Sequence, residues 1–306
     1  MRKNWKYHLA LFILCWIWGL AFIAVKAMLE EVSFLTVNLS RFLLASLALL
    51  PFLAVYWKRR PRLDIPQWGM VFLASICAVY GYQLAVNYGE TLVPAGTASL
   101  VANTTPVFAA LLAYFLLEEG LGKWKVAGIV TAMVGVAVIT VYGAGDGLGL
   151  GRVEGIAFIM LAAFSWAVYT VVLKPLTEAH SILFITAYTI LVGTLMQVPL
   201  ISDELFRELG AMSASSWGWL LFLGLVSTAL GYFMYVKGLE GLGASVTAFY
   251  IYLIPPISLF WGWAILGETL NPAIIVGTVM ILMGLMAVGW GERQEVSSEQ
   301  EEEITA

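Results

Sequence analysis

Trp18, Phe22 and Lys26 fall at i, i+4 and i+8, and Trp166, Thr170 and Lys174 repeat the spacing 148 residues later. On an α-helix each trio makes one face. A ring and a cation on one face suit stacking and hydrogen bonding to a small solute. Tyr80, Gln83 and Asn87, at i, i+3 and i+7, make a polar stripe beside Tyr82 and Tyr88. Asn103 precedes Pro106, and Tyr250 and Tyr252 precede Pro255 and Pro256. Tyr169, Tyr232 and Tyr235 add further aromatic groups. Bond-making chemistry asks for paired acids, a histidine with a base partner, or metal-ligand spacing. The two histidines, His8 and His180, stand at a helix edge and in a loop, and no acids cluster within the apolar runs. Cys15 and Cys77 lie inside apolar runs and read as inert packing residues. No nucleotide-binding G-x-x-x-x-G-K-[ST] loop is present. The expectation is a protein that is not an enzyme, with no catalytic residues, no metal and no cofactor.

The elements that hold these residues belong in a bilayer. Of 306 residues 61% are hydrophobic and 12% charged, against roughly 25% charged in soluble domains; the mean hydropathy is +0.88. Ten apolar runs have spanning length: 8–28, 34–57, 67–88, 94–116, 123–142, 153–173, 181–201, 215–237, 243–266 and 272–290. They are apolar all round rather than alternating, which favours helices over barrel strands. The fold class is therefore an all-α membrane protein. The basic start (Arg2, Lys3, Lys6) is read as the flank of the first helix, since its apolar run is too long for a signal peptide.

An even number of helices puts both termini on one side. There too fall Lys58, Arg59, Arg60, Arg62, Lys123, Lys125, Lys174, Lys237 and Arg293, against Lys26, Arg152 and Arg207 opposite. The positive-inside rule makes both termini cytoplasmic. The chain is also duplicated: Gly81-Tyr82 answers Gly231-Tyr232, Pro106 answers Pro256 and Glu118 answers Glu268, each at an offset of 150. Five helices per copy force the second copy to enter the membrane from the opposite face, so the repeats are inverted. They are assigned to 1–145 and 150–291, with a disordered acidic tail over 292–306. The glycine-rich stretch Gly143 to Arg152 joins them, and Ser202 to Ser216 is expected to form a short interfacial turn. Inverted repeats are a plan for alternating access around a central site.

Each candidate residue also has a plain structural use. Gln83 and Asn87 serve equally as interhelical hydrogen-bonding groups, and Pro106, Pro255 and Pro256 as simple kinks. Lys26 and Lys174 can snorkel to the headgroups. Arg41 is either an intramembrane charge with a partner or a snorkelling residue near a helix start. Glu118 and Glu268 suit capping before gating. Gly128 and Gly135, with Gly277 and Gly284, suit close helix packing. Glu90, at the outer end of the third helix, suits a solvated loop as well as a proton site.

The chain resembles the drug/metabolite transporter superfamily in its ten-helix EamA-type exporter branch. The resemblance rests on Trp18-Gly19 with Lys26, Arg41-Phe42, Pro106-Val107-Phe108 leading to Leu116-Leu117-Glu118, Trp166 with Lys174, and Pro255-Pro256 leading to Leu266-Gly267-Glu268. It covers residues 8 to 290. It implies an inner-membrane exporter of amino acids or related metabolites, with a cavity lined by helices 1, 3, 4, 6, 8 and 9 and with helices 5 and 10 outermost. The partners expected are the lipid bilayer and a small-molecule substrate, with no nucleic acid, in a monomer or weak homodimer. Small multidrug exchangers of the same superfamily need a carboxylate in helix 1, and none lies between His8 and Met28. The aromatic candidates suit amphipathic or aromatic amino acids. Drugs, organic cations and purine-type metabolites are the alternative substrates, and an intramembrane enzyme the alternative class.

Overall fold

A computed structural model describes residues 5–117, 122–142, 150–242, 247 and 250–305, and among these no strand occurs. Helices α1 (Trp5–Met28) and α2 (Phe34–Tyr56) form the first two spans. The third is one rod built of α3 (Ile65–Ser75), a π-helical stretch (Ile76–Leu84) and α4 (Ala85–Leu92). The fourth is α5 (Ala95–Ala102) followed by α6 (Thr105–Leu117), and the fifth is α7 (Lys123–Tyr142). The second copy supplies α8 (Leu150–Ala179) and α9 (Ile182–Met196). After them come α10 (Asp203–Ala211) and a rod of α11 (Ala214–Leu221), π-helix (Phe222–Leu230) and α12 (Gly231–Leu242). The last two helices are α13 (Ile254–Leu266) and α14 (Pro272–Thr305).

Among the described residues nine helices are long and apolar enough to cross a membrane, and α13 is a shorter apolar helix. The run expected over 243–266 includes 243–246, 248 and 249, and the connector includes 143–149; these positions lie outside the described residues, as does Glu118. Two expectations are corrected. The segment from Ser202 to Ser216 holds the helix α10 and the first turn of α11 rather than a turn alone. The acidic segment after Trp290 continues α14 to Thr305 rather than leaving the helix. Glutamate and glutamine are good helix formers, so an already nucleated helix propagates through them.

Helix starts are encoded locally. Asp64 and Gln67 form a capping box, with the Gln67 N–H donating to Asp64 Oδ1 at 2.9 Å and the Asp64 N–H to Gln67 Oε1 at 3.0 Å. Between apolar helices lipid offers no hydrophobic drive, so close approach of small residues supplies the packing. A side chain at Gly128 would meet the Gly284 carbonyl at 2.5 Å, and one at Gly135 the Gly277 carbonyl at 2.8 Å. The reversed order of these pairs makes α7 and α14 antiparallel neighbours.

The two copies interlock. A side chain at Gly81 would strike Ser165 on α8, and one at Gly231 would strike Trp18 on α1. Each copy's third span thus packs on the other copy's first. Apolar clusters mix the copies in the same way: Phe42, Val79, Leu176 and Ile185 share one, and Ala24, Val37, Leu220 and Leu223 another. Polar ties cross the same boundary, with the Asn38 amide donating to Gln197 Oε1 at 2.8 Å and the Ser46 and Thr194 hydroxyls 2.7 Å apart.

Candidate substrate cavity

Two devices shape the centre of the bundle. The fourth span breaks at Asn103 and Thr104, where the Asn103 side-chain amide donates to the Ser99 carbonyl at 2.8 Å and the Thr104 hydroxyl to Val101 at 2.7 Å. Pro106 opens the new helix α6, and Pro255 and Pro256 open α13, positions where a missing N–H costs little. These prolines start half-helices rather than kink continuous ones. The second device is the pair of π-helical stretches, whose wider turns rotate the residues after them relative to those before.

The space so enclosed is a cavity of about 350 Å³, within the range of small-ligand sites. Trp18, Gln83, Asn87, Asn103, Trp166, Tyr169, Tyr232, Tyr235 and Tyr252 line it. Phe22, Tyr82, Thr105 and Pro106 join them, and α2 and α9 contribute Arg41 and Thr186 beyond the six helices anticipated. The aromatic walls are paired. Trp166 stands between Tyr82 and Tyr169, both at 4.7 Å between ring centroids. Trp18 stands between Tyr232 at 6.0 Å and Tyr235 at 5.6 Å, and its indole N–H donates to the Ser227 carbonyl at 3.0 Å.

Two expected lining residues are elsewhere. Tyr80 donates its hydroxyl to the Met196 carbonyl and faces a separate crevice with Phe34 and Phe158. The expected stripe assumed α-helical winding, but Tyr80 and Gln83 lie in the π-helical stretch, which turns less per residue and takes Tyr80 off the face of Gln83 and Asn87. The Tyr250 hydroxyl lies 2.9 Å from His8 Nδ1, drawn to the N-terminal end of α1 and out of the cavity wall.

The polar floor departs furthest from the sequence reading. Arg41 is 7% exposed and faces the cavity rather than the headgroups. Its Nε donates to the Thr228 hydroxyl at 2.9 Å. Glu90 is 0% exposed and lines the cavity, so it is not a solvated loop residue. Among the described residues, neither oxygen of Glu90 and neither polar atom of the Asn87 amide has a hydrogen-bond partner. The signal for Glu90 was available in its spacing, since Gln83, Asn87 and Glu90 continue one face at i, i+4 and i+7.

Helix-end contacts close the bundle on the side opposite the N-terminus. Lys26 does not snorkel: its ammonium donates to the Glu90 carbonyl, and to the Val93 carbonyl at 3.0 Å, capping α4. Gly267, at φ 66°, ends α13 in the left-handed conformation, and the Glu268 N–H returns to the Gly262 carbonyl at 3.0 Å. That turn sets the Glu268 carboxylate on the N–H groups of Ala95 at 2.6 Å and Gly96 at 3.0 Å. Glu208 accepts from the Ser33 N–H at 3.1 Å, and Glu31 from the Ser213 N–H at 2.8 Å. Lys174, the counterpart of Lys26, is exposed. The cavity thus runs from half-buried Thr177 and Ile182 on the N-terminal side to fully buried Glu90.

An all-helical bundle of apolar spans, duplicated and interlocked around a cavity with aromatic walls and a charged floor, has the form of a multi-pass membrane transporter. The model of the EamA-like transporter family matches residues 5–141 and 153–290, and the chain belongs to that family. A probable terminal-alkyne amino-acid exporter of Streptantibioticus cattleyicolor is 32% identical over 92% of this chain and 93% of that protein. An uncharacterized transporter of Archaeoglobus fulgidus is 30% identical over 89% and 94%. The uncharacterized transporter YdfC of Bacillus subtilis is 31% identical over 88% and 86%. A solved structure described as "Crystal structure of protein" shares the fold at a TM-score of 0.61, with 18% identity over 95% of this chain and 99% of that one.

Proposed function

We propose that the protein exports amino acids with apolar or aromatic side chains across the plasma (inner) membrane by alternating access, with both termini cytoplasmic. The observation that carries this is the pairing of opposite charges in one cavity. Arg41 and Glu90 both line it, and Glu90 accepts no hydrogen bond. An α-amino acid brings a carboxylate for the first and an ammonium for the second, while the rings around Trp18 and Trp166 take its side chain. The similarity to a probable terminal-alkyne amino-acid exporter supports the same class. An organic cation would meet Glu90 but leave Arg41 facing a like charge, which disfavours that alternative. The access cycle is supported by the difference between the copies: Lys26 is tied to a helix end while Lys174 is exposed. In this reading the state described opens to the cytoplasm. The substrate cavity is complete within one chain, so a monomer suffices for transport.

The test is uptake of labelled amino acids into proteoliposomes holding the purified protein, with amino-acid amides and organic cations as competitors. Arg41→Met is expected to weaken competition by free amino acids about ten- to a hundredfold, the consequence of losing ~1.5–3 kcal/mol of charge-assisted hydrogen bonding. Competition by the amides, which lack the carboxylate, is expected to be unchanged. Equal losses for both would remove the carboxylate assignment, and transport of cations alone would replace the substrate class.

A further inference from the structure

We infer that Glu90 is the cavity's exchange site, holding either a proton or the ammonium group of the substrate, and thereby couples export to proton entry. This rests on the reading of the cavity as the substrate site. Glu90 lies on α4, inside a membrane-spanning rod, and is 0% exposed. An isolated carboxylate in such a place is costly, and an intramembrane ionisable side chain marks an ion pathway more often than packing. The usual remedies are incomplete: Lys26 and Arg41 act on it through charge without a hydrogen bond. Neither carboxyl oxygen accepts a hydrogen bond. Lys26 commits its ammonium to the backbone carbonyls of Glu90 and Val93. A proton or an incoming cation relieves the same cost, and a single carboxyl cannot hold both.

The surroundings fit this use. The charged groups acting on Glu90 are Lys26 from α1, Arg41 from α2 and Glu268 from the turn after α13. Glu268 is occupied in capping α5. Helix α8 carries Arg152 and Glu154, the latter accepting the Tyr88 hydroxyl at 2.8 Å. Helix α5 has no titratable side chain, and the π-helical stretch presents Tyr82 to the cavity. One turn before Glu90, the Asn87 amide has donor and acceptor both unpartnered, a second polar group directed to whatever occupies the floor.

When the site opens to the cytoplasm, protonated Glu90 loses its O–H bond, the proton passes to water, and the carboxylate left behind pairs with the substrate ammonium, which keeps all its protons. When the site opens to the outside, the amino acid leaves and water returns a proton to the carboxylate. Neither the bare carboxylate nor the doubly loaded site crosses readily, which makes the movement an exchange.

Proteoliposomes test the coupling. Wild-type protein is expected to accumulate labelled amino acids when the lumen is acid, to about tenfold per pH unit at zero membrane potential for one-for-one exchange. Glu90→Gln is expected to lose accumulation driven by the pH gradient and to bind the same amino acids more weakly, with a monodisperse elution profile and a wild-type melting temperature in detergent showing that it is folded. Should Glu90→Gln fail to fold, Glu90→Asp is expected to keep gradient-driven accumulation with a shifted pH dependence. Amino-acid transport indifferent to the gradient in wild type, or gradient-driven accumulation by Glu90→Gln, overturns the exchange site and leaves the substrate reading standing. If no amino acid moves at all, the substrate reading fails, and a substrate-free measurement decides the proton site. Dicyclohexylcarbodiimide, which reacts with protonated carboxyls in apolar surroundings, is expected to label the Glu90 peptide more in acid than in alkali. Absence of labelling, or labelling without pH dependence, overturns it.

Discussion

The carboxylate of Glu268 lies 2.6 Å from the backbone N–H of Ala95, so the end of one copy's fourth helix closes the start of the other's. The two residues are 173 positions apart. Free N–H groups at a helix start attract a carboxylate through both hydrogen bonding and the helix dipole. Glu268 is held there by a left-handed turn at Gly267 and by the room that Gly262 and Gly96 leave. The contact joins the two copies on the closed side of the cavity; under the proposed access cycle it is a latch of the state described.

Glu268→Ala leaves these donors without their acceptor and removes ~1.5–3 kcal/mol from the closed side. Opening on that side is expected to rise about tenfold or more. The readout is labelling of a cysteine placed at Val25, in a background lacking Cys15 and Cys77, by a membrane-impermeant thiol reagent added from that side. An unchanged labelling rate would mean that the contact does not hold the cavity shut.

Trp166→Ala removes the ring between Tyr82 and Tyr169. Aromatic pairs contribute ~0.5–1.5 kcal/mol each beyond burial, so the KM for an aromatic amino acid is expected to rise several-fold. Trp166→Phe is expected to recover part of the loss. Competition assays with aromatic and small polar amino acids separate the two roles of the ring: a wall for the substrate side chain predicts a larger loss for the aromatic compound, a packing element an equal loss for both.

Gly135→Val drives two methyl groups into the α7–α14 contact, where a Cβ already meets the Gly277 carbonyl at 2.8 Å. Overpacking of this kind costs ~1–3 kcal/mol. The melting temperature in detergent is expected to fall by several degrees, while the KM of the folded fraction stays unchanged because these helices do not line the cavity. A normal melting temperature would show that the helices separate freely.

Glu31 lies in the exposed loop between α1 and α2 and accepts the Ser213 N–H at 2.8 Å and the Ser213 hydroxyl at 2.7 Å. Those bonds, the backbone one first, hold its carboxyl below the usual carboxylate range. A lowered folded-state value means that the contribution is present above the unfolded value and is lost as pH falls through the folded one. Glu31→Gln is expected to lower the melting temperature slightly at neutral pH and to match wild type in acid, so that the acid limb becomes shallower, a small effect as suits an exposed pair. An unaltered acid limb would place that sensitivity in other groups.

The spans, the duplication and most of the aromatic lining were legible because each depends on residues close in sequence. Apolar length, the Trp-to-Lys spacing and paired prolines are local quantities. Tyr80 was misplaced because an α-helical period was applied across a π-helical stretch, whose wider turn depends on how the rod packs against its neighbours. Tyr250 was misplaced because its partner, His8, is 242 residues away. Arg41 and Glu90 were underrated for a related reason: each stands near the end of an apolar run, where sequence alone treats a charge as solvated.

By itself the sequence determined that the chain crosses a membrane many times as helices and that its second half repeats its first upside down. Those properties follow from local hydropathy and from an odd number of helices per copy. The tertiary structure alone decided which end of the bundle is closed and which polar groups are left facing the cavity. It brings Lys26 and Glu268 onto helix ends that only the folded, interlocked copies present. Having done so, it leaves the carboxyl of Glu90 with no hydrogen-bond partner among the described residues, while Lys26 donates to backbone carbonyls.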